Sequence, residues 1–286
     1  MGNQLFQYAA ARAITLRTGA ELSLDARSFA RDPLRRRYAL DRFPILAIRR
    51  DLVGWHRAFA EFPALWRVTR VTGWAPRVGG TRFLYDRMRG LDPRVQADAE
   101  HLILTGYWQD ERYFLDALST IAVELEPAAR LSAKVRTLGD SLDTPGTLAI
   151  HVRRADFANA SSPHGTCSAA YHADAVRFLR EQSKLERIVV FTDDAAWVRS
   201  SLDLGQSFET FARAADRDDV DDLWLMSRCR MLVISNSSYS WWAARLAELR
   251  RAPGTTLVVC PSRWYRPSAG PIPHPAPERW HRVTAE

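Results

Sequence analysis

Four short polar clusters in this chain could do chemistry, and the first of them follows a continuous apolar run. Met231–Ile234 has the composition of a strand that is buried on both faces, and apolar residues at helical spacing begin a few residues later. The turn between them consists of Ser235, Asn236, Ser237 and Ser238. The free N–H groups at the start of such a helix attract anions such as phosphate. The alternative is a helix cap without a ligand, which is the commoner role for this composition.

The second cluster contains two adjacent arginines. His151, Arg153 and Arg154 come at the end of the predicted strand Thr147–Val152. Guanidinium groups match phosphate oxygens bidentately, so a diphosphate leaving group is a natural partner. The alternative is an ion pair with a nearby carboxylate, for which the sequence offers Asp156 and Asp193.

The remaining two clusters are acidic. Asp193 and Asp194 follow the predicted strand Ile188–Thr192, and paired carboxylates can hold a divalent metal. Asp194 also fits as the N-cap of the next helix, and Asp193 as the partner of an arginine or of a nucleotide. The run Asp218–Asp222 is typical of a helix start stabilised by the helix dipole, although one of its carboxylates could accept hydrogen bonds from a guanine edge.

Regular alternation of short strands and helices begins at Glu126 and predicts an α/β fold with a doubly wound parallel sheet. Because the strands of such a sheet point the same way, the polar clusters at their ends should share its carboxyl edge. Before this point we predict a helix with Asn3 as its N-cap and Gly19 just beyond its end, then a strand at Glu21–Asp25. We predict an N-terminal acceptor-side domain at 1–126, a nucleotide-sugar-binding domain at 127–270 and a Pro-rich tail at 271–286.

Composition restricts the partners and the compartment. The net charge of +7 comes from arginine, which suits nucleic acid, an anionic membrane surface or a phosphorylated substrate. No nucleic-acid-binding motif accompanies the arginine clusters, so we expect no nucleic acid and interpret them as a solvated, acceptor-side or membrane-proximal surface. Three scattered cysteines favour a reducing compartment, and no apolar run is long enough to span a bilayer. We therefore expect a cytoplasmic protein.

Four motifs in order carry a family resemblance. Gly2–Ala9 (GNQLFQYA), HVRRAD at 151–156, FTDD at 191–194 and the stretch 225–244 together resemble the bacterial α-1,2-fucosyltransferases of glycosyltransferase family 11. The resemblance implies a GT-B-like fold of two Rossmann-like domains facing across a cleft. It also implies GDP-fucose as donor, inversion at the anomeric carbon and no required metal or cofactor. Family members carry a short apolar strand before Gly-Asn-Gln, so we expect the first strand to be missing and the natural start to lie upstream.

The resemblance also implies roles for individual residues. Arg153 matches the arginine expected at the β-phosphate, and Asn3 the asparagine that faces the cleft near the reacting sugar; we predict both as catalytic. His151 and Asp222 resemble guanine-binding residues. The rest of the predicted donor site resembles diphosphate-binding or supporting positions: Arg154, Asp156, Asp193, Ser235, Asn236, Ser237 and Ser238. Within this set we expect a carboxylate to hold Arg154, and Asp156 fits a general base by type alone.

The predicted reaction is transfer of L-fucose from GDP-fucose to the 2-OH of a galactose in a glycan. The resemblance allows peripheral contact of this cytoplasmic protein with the inner face of the membrane. Two alternatives stay open at this point. One is a transferase for another nucleotide sugar or another linkage, and the other is an inactive, truncated remnant that binds only nucleotide. We interpret Trp241 and Trp242, which follow the serine turn, as core packing.

Overall fold

The computed structural model describes residues 1–31, 37–96, 101–155, 164–212 and 217–285. The chain divides into two compact units. The first comprises Met1 and residues 3–125, and the second comprises Gly2 and residues 126–286.

The first helix begins two residues earlier than its predicted cap allows. Helix α1 (Gly2–Thr18) has Met1 at its N-cap position and ends at Gly19, whose φ of 73° is left-handed as expected of a glycine there. The Met1 carbonyl accepts a hydrogen bond from the Gln4 amide at 2.7 Å. The prediction of Asn3 as N-cap is therefore wrong, because this bond already places Asn3 inside the helix.

Two small sheets occupy the described part of the first unit, where the sequence predicts one Rossmann-like sheet. Strand β1 (Ser23–Leu24) pairs in parallel with β2 (Ile48–Arg49). The other sheet consists of β3 (Arg77–Val78), β4 (Thr81–Tyr85) and β5 (His101–Thr105). Besides α1, the described part of this unit contains the helices α2 (Gly54–Glu61), α3 (Pro63–Thr72) and α4 (Leu118–Glu124). Strands of two residues, such as β1 and β2, are much shorter than the usual length of about five to six residues.

The described part of the second unit contains a six-stranded sheet with every neighbouring pair parallel. Its strands are β6 (Thr147–Val152), β7 (Arg187–Thr192), β8 (Glu209–Ala212), β9 (Met231–Val233), β10 (Leu257–Pro261) and β11 (His281–Val283). The helices are α5 (Ala133–Leu142), α6 (Ala169–Gln182), α7 (Ala195–Ser201), α8 (Asp219–Arg228) and α9 (Ser238–Leu249). The predicted α/β class is confirmed, and this sheet is the doubly wound sheet that a GT-B-like fold requires.

Strand β11 has no counterpart in the sequence prediction. It lies within the predicted Pro-rich tail and pairs with β10, so residues 271–285 belong to the second unit. A three-residue edge strand with His281 and Arg282 exposed has no apolar alternation that could reveal it.

The core of the second unit lies on both faces of the sheet. All six residues of β6 are buried, as expected of a central parallel strand covered by helices on both sides. Trp241 and Trp242 of α9 are fully buried, which confirms their prediction as core residues.

The strand order places one point of reversal at the centre of the sheet. The chain proceeds from β6 through β7 to β8 in one direction and from β9 through β10 to β11 in the other. Strands β6 and β9 are therefore neighbours, with Ile150 opposite Val233. In open α/β sheets, ligands bind beyond the carboxyl ends of the strands at this kind of switch point.

Candidate functional site

A buried serine hydroxyl joins the two strand ends at the switch point. Ser235 follows β9, and its hydroxyl donates to the His151 carbonyl at 2.6 Å. The same oxygen accepts from the Arg153 amide at 3.2 Å. Ser235 has no exposed surface, so this hydroxyl is committed to connecting β6 with β9. The structure therefore places Ser235 beneath the site, as a connection between strands.

Arg153 leaves β6 at this connection and carries a partly exposed guanidinium. Its Nη1 lies 3.0 Å from Oδ2 of Asp193, and 35% of the Arg153 side chain is exposed. The Asp193 carboxylate also accepts from the amides of Arg154 at 2.9 Å and Ala155 at 3.3 Å. Asp193 is thus the arginine partner that the sequence offered as an alternative, and it also fixes the backbone after β6.

Arg154, the next residue along the chain, contacts two residues at the start of α7. Its guanidinium lies over the Trp197 ring at 4.2 Å, and its Nε is 3.6 Å from Oδ2 of Asp194. Asp194 is the N-cap of α7 and accepts from the Trp197 amide at 3.0 Å. Both expectations, a capping Asp194 and an Arg154 held by a carboxylate, agree with these contacts. The two aspartates that could have formed a metal site therefore each have partners in the protein.

His151 is neutral at physiological pH. Burial and the nearby Arg153 charge lower the pKa of His151 to about 3. Its Nδ1 has no hydrogen-bond partner among the residues that the structure describes. A neutral imidazole offers one donor and one acceptor, so it suits a polar but uncharged group better than a phosphate.

Tyr239 connects His151 with the acidic run on α8. Its ring lies 5.4 Å from the His151 ring, and its hydroxyl donates to the Asp219 carbonyl at 2.7 Å. The sequence prediction did not include Tyr239. Its position in the first turn of α9, directly after the serine turn, is the signal that could have identified it.

Asp219 and Asp222 are the carboxylates of the acidic run outside the capping box of α8, and of these two Asp222 is half-buried whereas Asp219 is exposed. Asp218 and Asp221 form a capping box at the start of α8, which accounts for their side chains. Asp222 forms an ion pair with Arg217, and burial raises the pKa of Asp222 to about 6 despite that positive charge. Its ionisation is therefore sensitive to pH in the range where most aspartates are fully charged.

The residues of the serine turn hold two loops together and cap α9. Asn236 is buried and donates to the carbonyls of His164 at 2.8 Å and Trp264 at 3.1 Å, so its amide holds two loops together. Ser237 is the N-cap of α9 and accepts from the Tyr239 amide at 3.3 Å. Ser238 is the first residue of α9 and is half-buried.

Two predicted residues remain, Asp156 and Asn3. Asp156 lies outside the described residues. Asn3 belongs to the first unit, where its Oδ1 accepts a hydrogen bond from Nε2 of Gln109 at 2.7 Å. The catalytic role of Asn3 stays a prediction, as do the ligand contacts of the other predicted residues.

One protein family matches a stretch of this chain that includes the residues of the site described above. Residues 84–265, more than half of the chain, match the family described as glycosyl transferase family 11. The chain belongs to this family. The recognition made from the sequence motifs is therefore confirmed, and with it the assignment to glycosyltransferases.

Two curated relatives come from Escherichia coli. An alpha-1,2-colitosyltransferase is 27% identical over 99% of this chain and 96% of its own length. The O-antigen biosynthesis glycosyltransferase WbnK is 29% identical over 43% of this chain and 40% of its own length.

Two solved structures resemble the fold. One is the NodZ alpha-1,6-fucosyltransferase soaked with GDP-fucose, with a TM-score of 0.42, 16% identity and coverage of 86% of this chain and 89% of that one. The other is the E. coli ADP-heptose LPS heptosyltransferase II, with a TM-score of 0.41, 14% identity and coverage of 90% and 80%. None of the helices in the described part of the chain is both long enough and apolar enough to cross a bilayer.

Proposed function

We propose that this chain is an inverting transferase that moves L-fucose from GDP-fucose to a sugar hydroxyl through an α-1,2 linkage. The observation that carries the proposal is Arg153, whose half-exposed guanidinium lies at the switch point of the sheet. Membership of glycosyl transferase family 11 supports glycosyl transfer as the reaction class. The name of the E. coli alpha-1,2-colitosyltransferase, which matches nearly the whole chain, supports the α-1,2 linkage.

The leaving diphosphate would bind between Arg153 and the start of α9. Arg153 contributes a full positive charge, and the N-terminus of α9 contributes the positive end of the helix dipole. The ion pair of Arg153 with Asp193 is partly exposed and hence weak, so the guanidinium can turn towards a phosphate at little cost. Positive charge next to the departing diphosphate stabilises the transition state in a water-poor site.

The base of the nucleotide would bind near Tyr239. An ionised Asp222 can accept hydrogen bonds from the N1–H and N2–H₂ groups of guanine, which uracil does not present in this pattern. Neutral His151, whose ring lies 5.4 Å from that of Tyr239, can donate to or accept from an uncharged edge. These two roles rest on the family resemblance together with the placement of both residues around one tyrosine.

The acceptor side rests on the resemblance alone. We propose the 2-OH of a galactose as the nucleophile, Asn3 near the reacting sugar and Asp156 as a general base by type. Arg153 and the α9 N-terminus would supply the positive charge at the diphosphate, so we propose that no metal or cofactor is required. We place the reaction in the cytoplasm, in accord with three cysteines that are all free thiols.

A second candidate donor is favoured by one comparison. The relative that matches nearly the full length is named as a colitosyltransferase, so GDP-colitose is the alternative to GDP-fucose. The donor assay therefore includes both sugars.

The donor site is tested by calorimetry with GDP and UDP. Tight binding of GDP and weak binding of UDP are expected for the wild type. Arg153→Ala removes a charge-assisted contact of about 1.5–3 kcal/mol and should weaken GDP binding by roughly ten- to a hundredfold. Arg199→Ala, which removes an exposed arginine from α7, is the control and should change nothing. Unchanged affinity of Arg153→Ala, or equal affinity for UDP, would reject this donor site.

Transfer is tested with GDP-fucose and GDP-colitose, a panel of galactosides and EDTA, followed by linkage analysis of the product. An α-1,2-linked product that forms in EDTA supports the reaction and the absence of a metal requirement. Nucleotide binding without any product would support the inactive alternative, and a product that depends on added metal would contradict the metal-free proposal.

A further inference from the structure

Exposed apolar side chains are concentrated in one segment of the first unit. Thirteen large apolar residues are exposed in the described part of the chain, and seven of them lie between positions 53 and 78. They are Val53, Trp55, Phe62, Val68, Val71, Trp74 and Val78. Single exposed apolar residues are ordinary on protein surfaces, but a concentration of this kind marks an interaction surface.

Helix α3 exposes one of its apolar faces, while Leu65 and Trp66 are half-buried. Ala64, Val68 and Val71 follow at intervals of four and three residues and hence share one face, and all three are exposed. Thr69 is the single buried residue of α3, and α2 has none. A surface helix normally directs such a stripe towards the core. The exposed stripe therefore needs a partner other than the core of its own unit.

The same segment is basic. Residues 53–78 contain four arginines and one glutamate, and that glutamate, Glu61, pairs with Arg57 at 3.1 Å. Arg67 and Arg77 are exposed. Trp74, which is 52% exposed, follows directly after the glycine that ends α3. Exposed aliphatic residues, arginines and tryptophan together are the composition of a surface that lies in the interface of an anionic bilayer.

We propose that residues 53–78, here called the docking face, bind the surface of a membrane that contains anionic phospholipids. Phe62, Val71 and Trp74 enter the boundary between headgroups and acyl chains, while Arg67 and Arg77 contact lipid phosphates. This inference goes beyond the proposed transfer and stands without it, because lipid binding requires no nucleotide sugar.

The charge of the docking face disfavours a second copy of the chain as its partner. A symmetric dimer would bring the same surface of both copies together, and with it two sets of arginines. Such like charges repel, whereas anionic lipid headgroups neutralise them.

The test is co-sedimentation of the full chain with vesicles, and it has a closely matched control. Wild-type protein should sediment with vesicles of phosphatidylcholine and phosphatidylglycerol at low salt, and not with phosphatidylcholine alone. Val71→Glu, at a position 70% exposed on α3, should abolish this binding. Val123→Glu makes the same change at a position 72% exposed on α4, outside the docking face, and should bind like wild type.

A second pair of variants tests the charge. Arg67→Gln should weaken binding about fivefold, the value expected for loss of one basic residue near an anionic surface. Arg199→Gln, which removes an exposed arginine of α7 in the second unit, should leave binding unchanged.

Three results would overturn the proposal. They are failure of the wild type to bind anionic vesicles, equal losses in the Val71 and Val123 variants, and a dimer of the wild type in sedimentation equilibrium that Val71→Glu dissociates. Circular dichroism establishes that each variant is folded. Transfer to a soluble galactoside is measured in parallel and should survive Val71→Glu, so a failure of lipid binding is separable from a failure of the proposed reaction.

Discussion

Replacing Ser235 with alanine distinguishes a hydroxyl that binds the donor from a hydroxyl that connects strands β6 and β9. If this serine contacts the donor, as its position in the sequence predicts, the variant should remain stable and lose nucleotide affinity. The structure instead shows its hydroxyl bonded to the His151 carbonyl and the Arg153 amide. We therefore expect the main loss to be in stability.

The expected magnitude follows from these two bonds. Alanine leaves the carbonyl of His151 and the amide of Arg153 without their partner at a position that has no exposed surface. Each buried polar group left unsatisfied costs about 1–3 kcal/mol, so the two together should cost roughly 2–6 kcal/mol. At about 2–4 °C per kcal/mol for a domain of this size, the melting temperature should fall by roughly 4–24 °C.

Differential scanning calorimetry and GDP titration measure the two effects on the same protein. Ser200→Ala is the control, because it removes an exposed hydroxyl from α7 and should melt like the wild type. The GDP affinity of folded Ser235→Ala should fall only moderately, through a less well held Arg153. A variant that melts like the wild type but no longer binds GDP would refute the reasoning and assign the hydroxyl to the ligand.

Two further predictions concern charged groups. Because the pKa of Asp222 is raised to about 6 and only its ionised form accepts from guanine, the ratio of GDP to ADP affinity should rise between about pH 5 and about pH 7. Both diphosphates titrate alike, so the ratio isolates the base; Asp222→Asn should flatten it, and a wild-type ratio independent of pH would contradict the guanine role. Glu124→Ala should lower the free energy of unfolding by about 3–5 kcal/mol, because it removes the buried carboxylate that pairs with the half-buried Arg12. Asp116→Ala breaks the exposed pair with Arg17 and should cost less than about 1 kcal/mol; similar losses in urea unfolding of both variants would refute this contrast.

Much of the second unit is predictable from the sequence because its signals are local. A strand buried on both faces needs a continuous apolar run, and Thr147–Val152 matches β6 residue for residue. Helix α8 likewise begins at the predicted Asp219, because its capping box is formed by neighbours in sequence. The first unit is less predictable, since α2 and α3 expose apolar residues and two of the strands are only two residues long.

The amino-acid sequence alone determined which side chains end the strands and that those strands form a parallel α/β sheet. It also determined the family, because four motifs occur in the right order. Only the tertiary structure decided which polar groups face each other. Ser235 and the Arg153 amide are 82 residues apart, and Arg154 and Asp193 are 39 apart. Whether such a group binds a ligand or its neighbour depends on strand order and register, and these are set by long-range packing.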